Sequence, residues 1–269
     1  MGLDALGDRQ KSYEMAEAGR KLMRGLPILA RLDGRGFSRF TKDLLRPFCP
    51  EMHELMVEIT KTLVAESHAC IGYTQSDEIS LVLHTDNLAS EVFFDGRISK
   101  LTSVLAALAS ARMQQLLPKY LPAKVGKLPV FDCRVWNVPS KDEATNCLLW
   151  RVRDATKNSV SMAAFCHYSP KQLFEKNQDE QLEMLAKAGV DWDSYPDWFK
   201  GGSWIRRILV ERAPDADLIK KLEELRQKVP ETICRTEFET GPMPDFAKAK
   251  NRTAIVFDAA KPEVQDERA

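Results

Sequence analysis

The chain has 269 residues, 39 of them lysine or arginine and 39 aspartate or glutamate, so its formal net charge at pH 7 is zero. That length is enough to bury an extended core in one large domain or two small ones, and neutrality means that a nucleic-acid partner would be held by a local basic surface rather than by bulk charge. The six cysteines (Cys49, Cys70, Cys133, Cys147, Cys166 and Cys234) are scattered, with no Cys-x-x-Cys and no nearby histidine pair, which argues against structural zinc and for a reducing compartment.

Asp4, Asp8, Arg9, Lys11 and Glu14 leave no apolar secretory segment at the N-terminus, and the longest weakly polar run, Leu101 to Ala111, is too short to span a bilayer. The expectation is a soluble cytoplasmic protein without a membrane partner.

Residues from about Asp4 to Arg24 mix polar side chains with Ala, Leu and Met, which fits an amphipathic helix. Leu26 to Asp33 reads as a buried strand closed by Gly34 and Gly36. Phe37 to Phe48 carries Arg39, Lys42 and Arg46 among aromatics and reads as a loop or short helix. From Pro50 to His68, apolar residues at Met52, Leu55, Met56, Ile59, Leu63 and Val64 have helical spacing. Cys70 to Thr74 and Ile79 to His84 form a predicted hairpin around Gln75-Ser76-Asp77-Glu78. A second helix follows from Ile98 to Leu117, then a strand from Pro129 to Val138 and a long helix reaching about His167.

Beyond it, Gln178 to Ala188 is expected to be helical, and Val190 to Trp198 a loop anchored by two tryptophans. Trp204 to Arg212 reads as a strand, Asp215 to Lys228 as a charged helix and Thr232 to Phe238 as a further strand. No repeat or linker marks a boundary. The division expected is a catalytic core with its N-terminal helix at 1–138, a long helix and α/β region packed on it at 139–258, and a mobile tail at 259–269.

Strand, helix, strand, strand, helix, strand is the order of the ferredoxin-like α+β fold, with its antiparallel βαββαβ sheet and helices on one face. In that topology the third strand lies beside the first and runs against it. The end of the first strand, at Asp33, then meets the start of the third, at Asp77.

Two carboxylates at such a point can bridge two magnesium ions and serve nucleotidyl transfer, with the Gly34 carbonyl as a further ligand. Taken singly, each acid has a plainer role, Asp33 capping a turn and Asp77 sitting in a hairpin. Gly34-Arg35-Gly36-Phe37-Ser38-Arg39 could wrap backbone amides around a triphosphate, with Arg31, Arg35, Arg39, Lys42 and Arg46 balancing its charge, or be a glycine turn with solvated arginines. It is neither a dinucleotide fingerprint nor a Gly-Lys-Ser/Thr phosphate loop. On the long helix, Arg151, Asp154, Asn158 and Ser161 share one stripe, suited either to nucleotide or RNA contacts or to a solvated face with a minor ion pair. His53, His68, His84 and His167 lack ligand spacing and read as structural.

Arg31-Leu-Asp-Gly-Arg-Gly-Phe37, Gln75-Ser-Asp-Glu78, Phe131-Asp-Cys-Arg134 and Trp150-Arg-x-x-Asp154 together resemble, in order and spacing, the signatures of the tRNA(His) guanylyltransferase family, from about Lys21 to Met162. The Trp192 to Arg207 region is similar to the bacterial and archaeal guanylyltransferase-like members. The resemblance implies a palm-like catalytic domain that adds nucleotides to the 5′ end of tRNA in the 3′-to-5′ direction. ATP activates a 5′-monophosphate, and the 3′-hydroxyl of GTP or another nucleoside triphosphate then attacks it. It also implies a homotetramer, a dimer of dimers.

By the same resemblance Asp33 and Asp77 are catalytic metal ligands with Gly34, for two Mg²⁺ ions. Asp33, Gly34, Arg35, Gly36, Phe37, Ser38, Ser76 and Asp77 line the nucleotide site, and Arg31 and Arg134 contact phosphate. Lys42 and Arg46 join the phosphate contacts on charge alone, and Arg151, Asp154 and Asn158 are candidate tRNA or nucleotide contacts. Where eukaryotic members carry His-Ile-Asn-Asn-Leu-Tyr-Asn, this chain has Thr156-Lys-Asn-Ser-Val-Ser-Met162, keeping only Asn158 in register, and Ser38 replaces a common histidine. These departures favour templated repair of tRNA 5′ ends over guanylate addition to tRNA(His). A nucleotidyl cyclase and a non-catalytic tRNA-binding protein are the remaining alternatives.

Overall fold

Among the described residues, apolar alternation and helical spacing resolve into six strands and the helices that cover them. A computed structural model describes residues 5–243 and 246–264. Helix α1 (Ala5–Ala18) leads to strand β1 (Ile28–Gly34), the single turn α2 (Phe37–Phe40), helix α3 (Pro50–Ser67), strands β2 (Ile71–Gln75) and β3 (Glu78–Leu83), helix α4 (Ile98–Tyr120) and strand β4 (Phe131–Asn137). Helices α5 (Lys141–Phe165), α6 (Pro170–Leu173), α7 (Gln178–Lys187) and α8 (Asp197–Gly201) follow. Strand β5 (Ser203–Arg212), helix α9 (Ala216–Glu224), strand β6 (Ile233–Pro242) and helix α10 (Arg252–Phe257) complete the order.

The strands form one sheet in the order β4-β1-β3-β2-β5-β6 with every neighbouring pair antiparallel. Its first four strands have the ferredoxin-like arrangement expected from the element order. Strands β5 and β6 extend the same sheet, a placement that local periodicity does not encode.

Two-residue alternation divides the sheet's side chains. Ile28, Ala30 and Leu32 of β1 join Ile79 and Leu81 of β3 in a core with α3 and α4, where Leu55, Ile59, Leu63, Leu101, Leu105 and Met113 are fully buried. Leu29, Ile71, Tyr73 and Val82 face the other way, against Ala144, Leu148 and Leu149 of α5 and Ile255 and Val256 of α10. Helices therefore cover both faces of the sheet, α3 and α4 on one and α5 on the other. Helix α5 starts where Ser140 accepts the Glu143 N–H at 3.1 Å, a side-chain cap of the kind that favours Ser at helix starts.

The segment expected as a loop anchored by two tryptophans holds one 3₁₀ turn, Trp192–Ser194, before α8. Trp192 donates its Nε1–H to Ser159 Oγ at 3.3 Å, and Trp198 stacks on His53 with ring centroids 4.1 Å apart. Within the segment expected to be a mobile tail, Val264 bridges Ala249 and the Glu263 N–H donates to Asn251 Oδ1 at 3.0 Å. Residues 265–269 lie outside the described residues.

Candidate active site

Asp33 is the next-to-last residue of β1, on the face that α5 covers. The antiparallel register sets it opposite Glu78 of β3 on one side and Asp132 of β4 on the other. Directly opposed residues point to one face of a sheet, so three carboxylates stand in a row, with Arg31, Arg134 and Ser80 forming the next row. Asp77 joins them from the β2–β3 connection. Gln75 pairs with Glu78, leaving a two-residue turn in which Ser76 takes φ 55°, as tight hairpins require. The Ser76 hydroxyl donates to Asp77 Oδ1 at 3.1 Å.

Electrostatics distinguishes these acids. Burial, followed by the negative charge of Asp33, pushes the Asp77 carboxyl above the usual carboxylate range. Burial also raises Glu78, against the opposing pull of Arg151. Arg151 reaches down from α5 and donates from Nε to Glu78 Oε1 at 2.6 Å and from Nη2 to Glu78 Oε2 at 2.8 Å. It also donates to Asp154 Oδ2 at 3.1 Å, and Asn158 Nδ2 donates to the same oxygen at 3.1 Å. The helical stripe is therefore an ordered hydrogen-bonded chain ending on Glu78, and the ion pair within it is far from minor. Arg31 lies 5.7 Å and Arg151 4.6 Å from the Trp150 ring centroid, so the half-exposed indole sits among cations.

A cleft of about 390 Å³ opens over this chemistry, lined by Asp33, Gln75, Ser76, Asp77, Glu78, Arg151, Asn158, Ser161, Met162 and Phe165. An adjoining, more apolar pocket shares Gln75, Ser76 and Met162 with it and is walled by Thr41, Arg46, Phe48, His53 and Trp198. Burial holds the His53 imidazole down at about 4, so the ring is neutral at pH 7. Its Nε2 lies 3.3 Å from Ser203 Oγ.

The remaining predicted residues separate by position. Gly34 is needed because a Cβ there would meet Phe37 Cδ2 at 2.4 Å. Gly36 takes φ 69° and opens α2, whose first turn leaves the N–H groups of Phe37 and Ser38 without intrahelical partners. The Phe37 side chain is in the core against Phe40 and Phe131, so it can offer a ligand only its backbone. Arg35, Ser38 and Lys42 are exposed, and none of them lines either cavity. Arg46 lines the apolar pocket and donates to the Thr41 carbonyl at 3.2 Å. Arg134 is exposed beside Asp132, with Nε 3.7 Å from its Oδ1.

Glu78 and the aromatic pocket were not singled out from sequence. Glu78 could have been found from alternation along β3, since it shares the face of Ser80 and Val82. The pocket joins Thr41, His53 and Trp198, and no local pattern connects them.

Among the described residues no group of three or more His, Cys, Asp or Glu side chains is arranged to hold a metal. The donor set that remains fits magnesium. Asp33 and Asp77 repel each other, among the described residues no cation is paired to either, and Mg²⁺ commonly takes one or two carboxylates and fills its shell with water and substrate oxygens.

Paired acids at the meeting ends of adjacent antiparallel strands, on a ferredoxin-like sheet, define a palm-type fold. Residues 7–139 match the family model described as tRNAHis guanylyltransferase. A bacterial tRNA(His) guanylyltransferase-like protein solved in complex with ATP is 33% identical, with 76% of this chain and 87% of that chain covered and a TM-score of 0.71. A bacterial tRNA(His) guanylyltransferase-like protein solved with GTP is 28% identical, with 91% and 95% covered and a TM-score of 0.72. The tRNA(His) guanylyltransferase of Schizosaccharomyces pombe is 29% identical over 212 residues, 72% of this chain and 80% of that protein. The chain belongs to the tRNAHis guanylyltransferase family. No helix among the described residues is long and apolar enough to cross a membrane.

Proposed function

We propose that the protein is a magnesium-dependent nucleotidyltransferase that extends the 5′ end of tRNA in the 3′-to-5′ direction, acting in templated 5′-end repair. The observation that carries this reading is the meeting of Asp33 and Asp77 in a cleft that adjoins a pocket walled by Phe48, His53 and Trp198. Asp33 and Asp77, with the Gly34 carbonyl, would hold two Mg²⁺ ions, which supply Lewis-acid stabilisation of phosphoryl charge and lower the pKa of an attacking hydroxyl.

The chain's own groups do the rest. The free N–H groups of Phe37 and Ser38 bind triphosphate oxygens, aided by the Ser38 and Ser76 hydroxyls and by the exposed Arg35. Arg31 and Arg134, on adjacent strands beside the acids, neutralise phosphate charge, and Lys42 and Arg46 add positive potential at the rim. Phe48, His53 and Trp198 enclose the base, and neutral His53 avoids placing a cation against it. Arg151 positions Glu78, while Asp154 and Asn158, hydrogen-bonded to each other beside it, contact the tRNA or the nucleotide.

In the first step a 5′-phosphate oxygen of tRNA attacks the α-phosphorus of ATP and pyrophosphate leaves. In the second, the 3′-hydroxyl of the incoming nucleoside triphosphate attacks the activated 5′ phosphorus. AMP leaves, and the hydroxyl proton passes to solvent. Catalysis here is mainly positioning and charge stabilisation.

A second reading, guanylate addition to tRNA(His), is favoured by the names of the curated relatives. The altered segment Thr156–Met162 beside the cleft supports repair instead. The test is incubation of 5′-truncated tRNAs with ATP and each nucleoside triphosphate. Repair predicts incorporation that follows the opposing template base, and guanylate addition predicts G whatever the template. No extension of any tRNA would overturn both. We further propose that the enzyme works in the cytoplasm as an assembly of identical subunits.

A further inference from the structure

The cleft over Asp33 and Asp77 and the aromatic pocket beside it share three lining residues, Gln75, Ser76 and Met162. In a nucleoside triphosphate the ribose joins the base to the α-phosphate. A nucleotide with its phosphates on the acids and its base among Phe48, His53 and Trp198 therefore lays its sugar across that shared boundary.

The three boundary residues differ in what they can offer a sugar. The Ser76 hydroxyl donates to Asp77 Oδ1 at 3.1 Å, and a methionine thioether is only a weak acceptor. Other polar side chains of the aromatic pocket are committed within the protein. Thr41 donates to the Phe37 carbonyl at 2.8 Å, Arg46 to the Thr41 carbonyl at 3.2 Å, and the Cys49 thiol to Glu51 Oε2 at 3.1 Å. His53 Nε2 lies 3.3 Å from Ser203 Oγ. Among the described residues the half-buried carboxamide of Gln75 has no hydrogen-bond partner.

Strand register puts an amide at this place. Gln75 is opposite Glu78, Glu78 opposite Asp33, and Asp33 opposite Asp132, so one row of side chains crosses four strands on the face that α5 covers. Asp132 has Arg134 beside it, Glu78 is held by Arg151, and Asp33 faces Asp77. Gln75 is the neutral member of the row and closes it on β2, where the cleft gives way to the pocket. A carboxamide has two N–H donors and a carbonyl acceptor, which match a hydroxyl that both donates and accepts. It brings no charge to draw in a phosphate.

We infer that Gln75 is a specificity-determining residue that hydrogen-bonds a ribose hydroxyl of the bound nucleoside triphosphate and so selects ribonucleotides over deoxyribonucleotides. This role rests on the nucleotide site proposed for the cleft and adds to it a choice of sugar. A deoxyribonucleotide would leave the carboxamide unpaired in a closed site, and that unmet hydrogen bond is the source of the discrimination.

Isothermal titration of the full-length protein with ATP, 2′-deoxyATP and 3′-deoxyATP, in Mg²⁺ and without tRNA, reads binding with no transfer step. ATP should bind about tenfold more tightly than the analogue lacking the hydroxyl that Gln75 takes, and the two deoxy nucleotides identify that hydroxyl. In Gln75→Leu, ATP should bind about tenfold more weakly while that analogue binds no worse than to wild type, so the preference disappears. Equal binding of the three nucleotides by wild type, or a preference that survives in Gln75→Leu, overturns the role and leaves the nucleotide site standing. Equal weakening of all three in Gln75→Leu also overturns it, since a merely structural residue would give that result. Should Gln75→Leu fail to fold by circular dichroism, Gln75→Met takes its place, and failure of both variants to fold would assign the residue to the fold instead. Wild type that binds none of the nucleotides overturns the site itself and the role of Gln75 with it.

Discussion

Arg151 on α5 grips both carboxylate oxygens of Glu78, the residue that follows Asp77, at 2.6 and 2.8 Å. Both side chains are largely removed from water, 11% and 15% exposed. A forked guanidinium matches a carboxylate in a way that no ammonium does. The pair clamps the helix that bears Asp154 and Asn158 onto the strand that follows the turn of Asp77.

Arg151→Ala should therefore destabilise the fold by about 3 kcal/mol, because it leaves a buried carboxylate uncompensated. Arg151→Met combined with Glu78→Gln should recover most of that loss. Urea denaturation of the two variants measures both values. Equal losses in the single and double variants would show that the pair is not what holds α5 on the sheet.

Asp77 has the opposite character, since it lies beside the Asp33 carboxylate and, among the described residues, has no cation of its own. Its folded-state pKa is raised, so at neutral pH folding pays for ionising it. Stability from this group falls as pH rises from the ordinary carboxylate value through the raised one. Metal-free Asp77→Asn should be more stable than wild type at pH 7, and the difference should vanish below about pH 3.8. Thermal melts across that range check the sign.

Magnesium should raise the melting temperature of the wild type and leave that of Asp77→Asn unchanged, because a ligand stabilises only the state that binds it. The same substitution should lower nucleotide addition by about 10²–10³-fold, the scale of losing one preorganised electrostatic contact. Magnesium stabilisation that survives in both Asp77→Asn and Asp33→Asn would place the cation elsewhere.

His53 should make the protein acid-sensitive. Its folded pKa, lowered to about 4, lies below the unfolded value near 6.5, so the unfolded chain takes up the proton first. Stability should decline as pH falls from about 6.5 to about 4, and His53→Phe should flatten that decline. In the same variant the KM for nucleoside triphosphate should change more than kcat, since the ring walls the base pocket without touching the reacting phosphates.

Gly34→Ala is predicted to cost about 1–3 kcal/mol, because the new Cβ meets the Phe37 ring at 2.4 Å and that ring is held in the core. Gly36→Ala, with open space around its Cβ, should lose stability only through its positive φ. Chemical denaturation of the two variants separates sterics from backbone strain.

Much of this arrangement is legible along the chain. The three-and-four spacing of Met52 to Val64 specifies α3, and the run ending at Gly34 specifies β1, because burial of one helical face or of a central strand leaves a periodic mark. The element order then selects a topology in which Asp33 and Asp77 meet. The bond between Arg151 and Glu78 left no such mark, since alternation places Glu78 on a face and helical spacing places Arg151 on a stripe, but neither pattern pairs the two. Nor did the pocket that Thr41, His53 and Trp198 enclose.

The local pattern by itself determined the elements, the ferredoxin-like order and the meeting of two acids at one end of the sheet. These follow from hydrophobic period and chain connectivity, which are properties of neighbours in sequence. The tertiary structure alone decided that β5 and β6 extend the sheet, that α5 ends its polar stripe on Glu78 and that β6 is the last strand in the sheet order. Each depends on contacts between segments tens of residues apart, and solvent exclusion at those contacts turns an ordinary arginine into a clamp and an ordinary aspartate into a strained acid.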